Sequence, residues 1–263
     1  MTVLVIVLFA LMIYLLGLFL TYRHRFYLAT ARDQGYRIPT MRLADFDPHF
    51  RLGPHGPTLD AEIVFIGGAD AVPFAPTDRE AWVLGVLARD AHAMFEFGTA
   101  TGKTAYLMAR NSLPDARVVT LTLAPGGTVS YQHESGDSEI ARTTALAESS
   151  FGEFLYSRTP AAAKITQLYA DSKEFDHAPY RASCDLIFVD GAHAYSYVLS
   201  DSRKAFEMLA PGGIIVWHDY KKRSGPPRDV YRALNHLAQS HRLVRLAGTH
   251  MVAHRQEWDG TTL

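Results

Sequence analysis

The chain has 263 residues, 48% of them hydrophobic and 20% charged. That is enough apolar material for one α/β domain with a substantial core, and it excludes a mainly disordered chain. Lys+Arg 26 against Asp+Glu 27 leaves a net charge of -1, so no global basic field recruits nucleic acid, and the single cysteine, Cys184, excludes a disulfide framework or a multi-cysteine zinc site.

In chain order, the first feature is an uncharged stretch from Thr2 to Leu20, with no charge before Arg23. At about 1.5 Å per residue it is long enough to cross a bilayer's hydrocarbon layer of roughly 30 Å. We therefore expect residues 1–22 to form a transmembrane anchor. Arg23, Arg25, Arg32, Arg37 and Arg42 all follow it, which puts the body of a single-pass protein at the cytoplasmic face. Residues 23–60, rich in Arg, Pro, Gly and His without periodicity, read as a juxtamembrane connector to a domain over 61–263.

That domain begins with a short apolar run, Ala61 to Ile66, that reads as a strand, and a helix from Asp78 to about Arg89. Thr77 is its expected N-cap, with Glu80 at the third helical position as in a capping box. Apolar runs and helix-period segments then alternate: Ala93–Phe97 and Lys103–Asn111, Arg117–Leu123, Lys164–Tyr169, Leu186–Asp190 and Tyr197–Ala210, Ile214–His218 and Arg228–Gln239. Such alternation predicts a doubly wound, mostly parallel sheet with helices on both faces. Leu243–Leu246 and Met251–His254, joined by a short turn, predict a closing antiparallel hairpin at the sheet edge. A polar insertion at about 125–163 interrupts the pattern, with a helix expected between Ile140 and Tyr156; a lid over the site and a surface loop are both open readings of it.

In open parallel sheets ligands bind beyond the carboxyl ends of the strands, so those positions carry the functional reading. The first strand of the alternation ends Glu96-Phe97-Gly98-Thr99-Ala100-Thr101-Gly102. Small residues at 98, 100 and 102 let the chain turn tightly and let a ligand approach the main chain. The spacing is not the Gly-x-Gly-x-x-Gly of dinucleotide binding, Gly102-Lys103-Thr104 lacks the first glycine of a phosphate loop, and the carboxylate of Glu96 disfavours a second anion.

Glu96-x-Gly98-x-Ala100-x-Gly102 resembles the first motif of the class I S-adenosylmethionine-dependent methyltransferases. Ala170-Asp171-Ser172, then Val189-Asp190-Gly191-Ala192-His193-x-Tyr195 with Asp201, and Trp217-His218-Asp219-Tyr220 follow in the order of the small-molecule O-methyltransferases that include macrolide sugar enzymes. The resemblance covers about residues 75–255 and implies a seven-stranded Rossmann-like methyltransferase fold. It further implies that Glu96, Gly98, Thr99, Ala100, Gly102, Thr122, Asp171 and Ser172 bind S-adenosylmethionine. Asp190, His218 and Asp219 would hold Mg²⁺ or another divalent cation, and His193 would act with Asp190 as the catalytic pair, taking a proton from a substrate hydroxyl. The expected acceptor is a small molecule, lipid-linked or a saccharide given the anchor. One position departs from the family: the second strand ends Thr120-Leu121-Thr122, where relatives carry an acidic residue for the ribose hydroxyls. A single hydroxyl cannot clamp two others as a carboxylate does. That departure keeps open a metal-assisted hydrolase or oxygenase, or a binding protein without catalysis, on the same fold.

Overall fold

The computed structural model describes residues 11–20, 36–50, 52–53, 56–57, 76–125, 131–222 and 227–258. The chain divides into two units, Met1–Arg37 and Ile38–Leu263. In the first, residues 11–20 are helical (α1) and their large apolar side chains are exposed. No helix among the described residues is long and apolar enough to cross a membrane. This overturns the single-pass anchor expected for residues 1–22 and, with it, the placement of the body at the cytoplasmic face. The strand expected at Ala61 to Ile66 lies outside the described residues.

The second unit is built on an eight-stranded sheet. In chain order its strands are β1 (Thr40–Met41), β4 (Ala93–Phe97), β5 (Arg117–Thr122), β6 (Ile165–Tyr169), β7 (Cys184–Val189), β8 (Leu209–Trp217), β9 (Val244–Leu246) and β10 (Val252–Arg255). A separate antiparallel pair joins β2 (Leu52–Gly53) to β3 (Gly56–Pro57). The spatial order is β1-β9-β10-β8-β7-β4-β5-β6. Strands β4 to β8 pair in parallel, while β10 runs against both β8 and β9. The seven expected sheet strands are thus present. The closing hairpin, however, does not end the sheet: β1, from the segment read as a connector, pairs in parallel with β9 and makes the eighth strand.

The helices are α2 (Leu43–Phe46), α3 (Asp78–Ala88), α4 (Lys103–Asn111), α5 (Glu139–Glu148), α6 (Tyr195–Met208) and α7 (Pro227–Leu237). They cover the sheet on both faces because its central strands are apolar on both faces, as buried parallel strands must be. Met94, Leu186, Phe188 and Val216 point into a core with Val83, Leu84, Leu87 and Met108 of α3 and α4. The alternate residue Trp217 faces the other way, its indole N–H donating to Ser202 of α6 at 2.8 Å. At the N-terminus of α3 the expected capping box is present, Thr77 and Glu80 each receiving the other's backbone N–H.

The insertion is tied to the body by polar contacts. Asp137 accepts from the Ser196 backbone at 2.8 Å and from its hydroxyl at 2.7 Å, and Asp229 accepts from the Ser138 N–H at 2.9 Å. Its helix, α5, stops at Glu148, shorter than the sequence pattern allows. After it, Leu155 donates to the Thr101 carbonyl at 2.9 Å, so the chain returns to the loop beyond β4.

That loop depends on Gly98. Its φ is +98°, and a Cβ there would lie 2.2 Å from the Asp190 carbonyl oxygen, a backbone atom that cannot move away cheaply. Gly136 has a similar φ of +103° with open space around it. Gly98→Ala should therefore cost about 3 kcal/mol or more in a denaturant titration, against about 1 kcal/mol for Gly136→Ala, which meets only the left-handed penalty. Equal losses would show that the close approach of the two loops is not a stability determinant.

Candidate functional site

The sheet registers bring four strand ends level. Phe97 pairs with Leu121 of β5 and Val189 of β7, and Val189 pairs with Trp217 of β8. The next residues, Gly98, Thr122, Asp190 and His218, therefore emerge at one edge. From β4 the chain builds outward through β5 and β6, then returns to β7 on the other side of β4, and ligand crevices form where the order reverses in this way. A cleft opens there, enclosing about 480 Å³ when the open solvent at its mouth is included. Its apolar wall is Phe97, Ala100, Leu121, Leu123, Ala145 and Ala170; its polar groups are Thr122, Glu148, Ser149, Ser172, Asp190, Tyr197 and Asp201, with the Gly98 and Gly191 backbones between.

Of the residues expected to bind a cofactor, Gly98, Ala100, Thr122 and Ser172 line this cleft, and the others stand behind it. Glu96 is fully buried, accepting from the Thr104 hydroxyl and from the Thr120 hydroxyl at 2.6 Å. Burial pushes its pKa up to about 8, so near neutrality it is a carboxylic acid holding β4 to β5 and α4. Thr99 is buried against Thr120 and Gln167, at 2.7 and 3.1 Å. Gly102 caps α4 with φ +78°, and a Cβ there would press on the Tyr156 ring at 2.8 Å. Asp171 accepts from the Tyr197 hydroxyl at 2.7 Å and from the Lys173 N–H at 2.9 Å, orienting the Tyr197 ring that does face the cleft. Lys204 of α6 fixes the same loop by donating to the carbonyls of Ser172, Lys173 and Phe175 at 2.6, 2.9 and 2.7 Å.

Three cleft features were not singled out from sequence as binding groups. Asp201 is buried with its Oδ1 unpartnered and its pKa raised by burial to about 7, so a polar atom at the wall awaits a partner. Tyr197 is stacked on Tyr131 of the insertion. Glu148, the last residue of α5, brings a carboxylate from the insertion, and burial pushes its pKa up to about 7. Helical periodicity in a polar segment gave no signal for which of its acidic residues turns inward.

Beyond Asp190 lies an ion-pair network in which two histidines each stand between carboxylates. His218 Nδ1 is 3.1 Å from Asp190 Oδ1, and its Nε2 is 3.3 Å from Glu80 Oε2. His193 Nε2 is 3.2 Å from Asp219 Oδ2, and its Nδ1 is 3.6 Å from Glu148 Oε2. Although burial alone would lower the pKa of both rings, the surrounding carboxylates raise His218 well above its ordinary value and His193 to about 9. Glu80 and Asp219 are correspondingly held well below the carboxylate range despite burial, Glu80 by His218 and His250, Asp219 by His193, His218 and Lys221. Asp219 itself has φ +57°, a left-handed conformation that turns its side chain back into the network.

This donor set does not fit the divalent cation expected at Asp190, His218 and Asp219. Both ring nitrogens of His218 already face carboxylate oxygens, Nδ1 that of Asp190 and Nε2 that of Glu80. The Asp219 oxygens already face Lys221 Nζ at 2.5 Å and His193. Among the described residues, no group of three or more His, Cys, Asp or Glu could hold a metal ion. His193, the expected base, is not among the residues that line the cleft. It is buried behind the cleft wall and protonated near neutral pH, which suits holding the carboxylates rather than receiving a proton.

Residues 95–220, from within β4 to the segment after β8, match the family model of the methyltransferase domain. This part of the chain is similar to methyltransferase domains. Its fold is similar to that of the Podospora anserina methyltransferase PaMTH1 bound to SAH, at 13% identity over 68% of this chain and 78% of that one, with a TM-score of 0.50. Two further solved structures are similar over 69% of the chain. One is the Streptomyces achromogenes O-methyltransferase TomG in complex with SAM, at 18% identity, 81% of its own chain and a TM-score of 0.46. The other is a Bacillus cereus O-methyltransferase in complex with SAH, at 15%, 82% and 0.45. At such identities the likeness is one of fold. No match was found among curated proteins. The expected enzyme class, an S-adenosylmethionine-dependent methyltransferase, stands; the macrolide sugar subgroup is not distinguished.

Two measurements follow from the methyltransferase domain's electrostatics. Glu96 has a folded pKa of about 8 against 4.5 for an ordinary side chain, so the folded state holds an extra proton between those values. Stability should fall as pH rises through that window. Glu96→Gln should remove this component, so that its melting temperature relative to the parent improves by several degrees from pH 5 to pH 9; parallel curves would show that Glu96 is ionised throughout. For the network, titrating Mg²⁺ into the protein should give no saturable heat, and a chelator should leave its melting temperature unchanged. A magnesium heat abolished by Asp219→Asn would mean that the ion displaces Lys221 and His193.

Proposed function

We propose that the protein transfers a methyl group from S-adenosylmethionine to a hydroxyl of a small molecule, using the cleft between β4, β5 and β7. The observation that carries this reading is one crevice at the sheet's reversal point, inside the matched methyltransferase domain, with a tight glycine loop on one side and carboxylates on the other.

The chemistry of the lining supports it. The Gly98 loop and Ala100 admit a ligand close to the backbone, Leu121 and Leu123 offer apolar contact, and Ser172, Tyr197 and the unpartnered Asp201 oxygen offer polar partners. Anionic groups on the opposite wall suit a cationic ligand, and burial strengthens that preference by excluding water. When bound, S-adenosylmethionine supplies an electrophilic methyl group on a positively charged sulfur. Asp190, held by the His218 N–H, is a fixed acceptor that can orient an acceptor hydroxyl. Closing the cleft around both reactants would keep water away from the sulfonium.

Thr122 is the cleft position where the family resemblance places a carboxylate for the ribose hydroxyls. In calorimetric titrations S-adenosylmethionine should bind the full chain, and Thr122→Asp should tighten it by about tenfold, the worth of a charge-assisted hydrogen bond. Absence of binding by the folded parent protein would overturn the proposed function. Binding to the parent with unchanged or weaker affinity in Thr122→Asp would move the ribose away from the end of β5.

A further inference from the structure

We propose that Glu148 of the insertion helix α5 is the catalytic base of this site, the group that accepts the proton of the acceptor hydroxyl. This rests on the methyl-transfer reading above.

Three observations carry it. Glu148 lines the cleft, whereas His193 does not. Among the described residues no hydrogen bond holds its carboxylate; what faces it are charges, His193 on one side, with Asp190, Asp219 and His218 further off. The other cleft-lining carboxylate near the network, Asp190, is already engaged by the His218 N–H. A base must have lone pairs free toward the substrate, and Glu148 meets that condition at the cleft wall. Its raised pKa, about 7, agrees with such a task. His193 Nδ1, buried, without a hydrogen-bond partner and 3.6 Å from Glu148 Oε2, is then a positioning group that stabilises the carboxylate from behind.

The step balances without any further reactant. The acceptor O–H bond breaks and its proton goes to a Glu148 oxygen. The oxygen's electron pair forms the new O–CH₃ bond, and the S–CH₃ bonding pair stays on sulfur, which becomes a neutral thioether. Glu148 leaves the step as a carboxylic acid and returns its proton to solvent through the cleft mouth.

The test reads binding and needs no acceptor. In sinefungin a carbon replaces the sulfur of S-adenosylmethionine and an ammonium stands in place of its methyl group, whereas S-adenosylhomocysteine has neither charge nor methyl there. The parent protein should prefer sinefungin, and Glu148→Gln should lose about tenfold of that preference while binding S-adenosylhomocysteine as the parent does. Asp190→Asn, compared in parallel, should keep more of the preference than Glu148→Gln. If Glu148→Gln does not fold, Glu148→Asp withdraws the carboxylate by one methylene and should show the same loss. A parent without preference, a preference untouched in the Glu148 variant, or one lost only in Asp190→Asn would each overturn the assignment. Failure of the parent to bind either nucleoside would instead remove the methyl-transfer reading on which it rests.

Discussion

The edge of the sheet where β7 and β8 end is organised by one buried cation. The His218 ring sits between Asp190, which follows β7, and Glu80, which belongs to the first turn of α3. Glu80 also accepts the backbone N–H of Thr77 at its own helix start and that of His250, ahead of β10, at 2.8 Å. One carboxylate thus closes a helix cap, fixes a turn and neutralises an imidazolium. Removing either partner of such a buried pair leaves the other charge uncompensated, at a typical cost of about 3–5 kcal/mol. Because β8 and α3 are joined through it, the strand ends that form the cleft cannot drift independently of the helix layer.

The same rule, that buried charge must be paired or neutralised, separates the site's acids into different kinds. Glu80 and Asp219 face cations and stay ionised. Glu96 faces only threonine hydroxyls and Asp190, so it keeps its proton and acts as a neutral bracket between strands. Asp201 and Glu148 lie between these limits at the cleft wall, and it is this intermediate state that a ligand can alter. Chemically identical side chains are assigned different work by what the fold packs against them.

Much of this was legible in the sequence where the signal was local. The Thr77 and Glu80 capping box, the buried strands at 93–97, 184–189 and 214–217, and the small residues after Glu96 each announce themselves within a few positions. The sequence pattern failed where the decisive partner is far away in the chain. Glu96 reads as a carboxylate of the cofactor site, and nothing local shows that Thr120, 24 residues on, donates to it. Asp190, His218 and Asp219 read as metal ligands because their types suit one, yet Lys221 and Glu80 supply the opposing charges that make them an ion-pair network. Hydrophobicity likewise marked residues 1–22 as a membrane span, and Thr40–Met41 gave no strand signal of its own, since two residues become a strand only against β9.

The origin of the network's members makes the insertion more than a surface embellishment. Glu80 comes from α3, Glu148 from α5, Asp190 and His193 from the loop after β7, and His218 and Asp219 from the end of β8. Strands and their loops are held rigidly by the sheet, but α5 is held by side chains such as Asp137 and Asp229 and by the Tyr131 ring stacked on Tyr197. Asp229 is itself buried, and Ala141 of α5 packs with Ala194 and Tyr197, so apolar contact and polar anchors fix the helix together. Placing Glu148 at the very end of that element means that the packing of the insertion on the body is what desolvates its carboxylate and raises its pKa, so the state of the acid depends on a segment outside the alternating strands and helices.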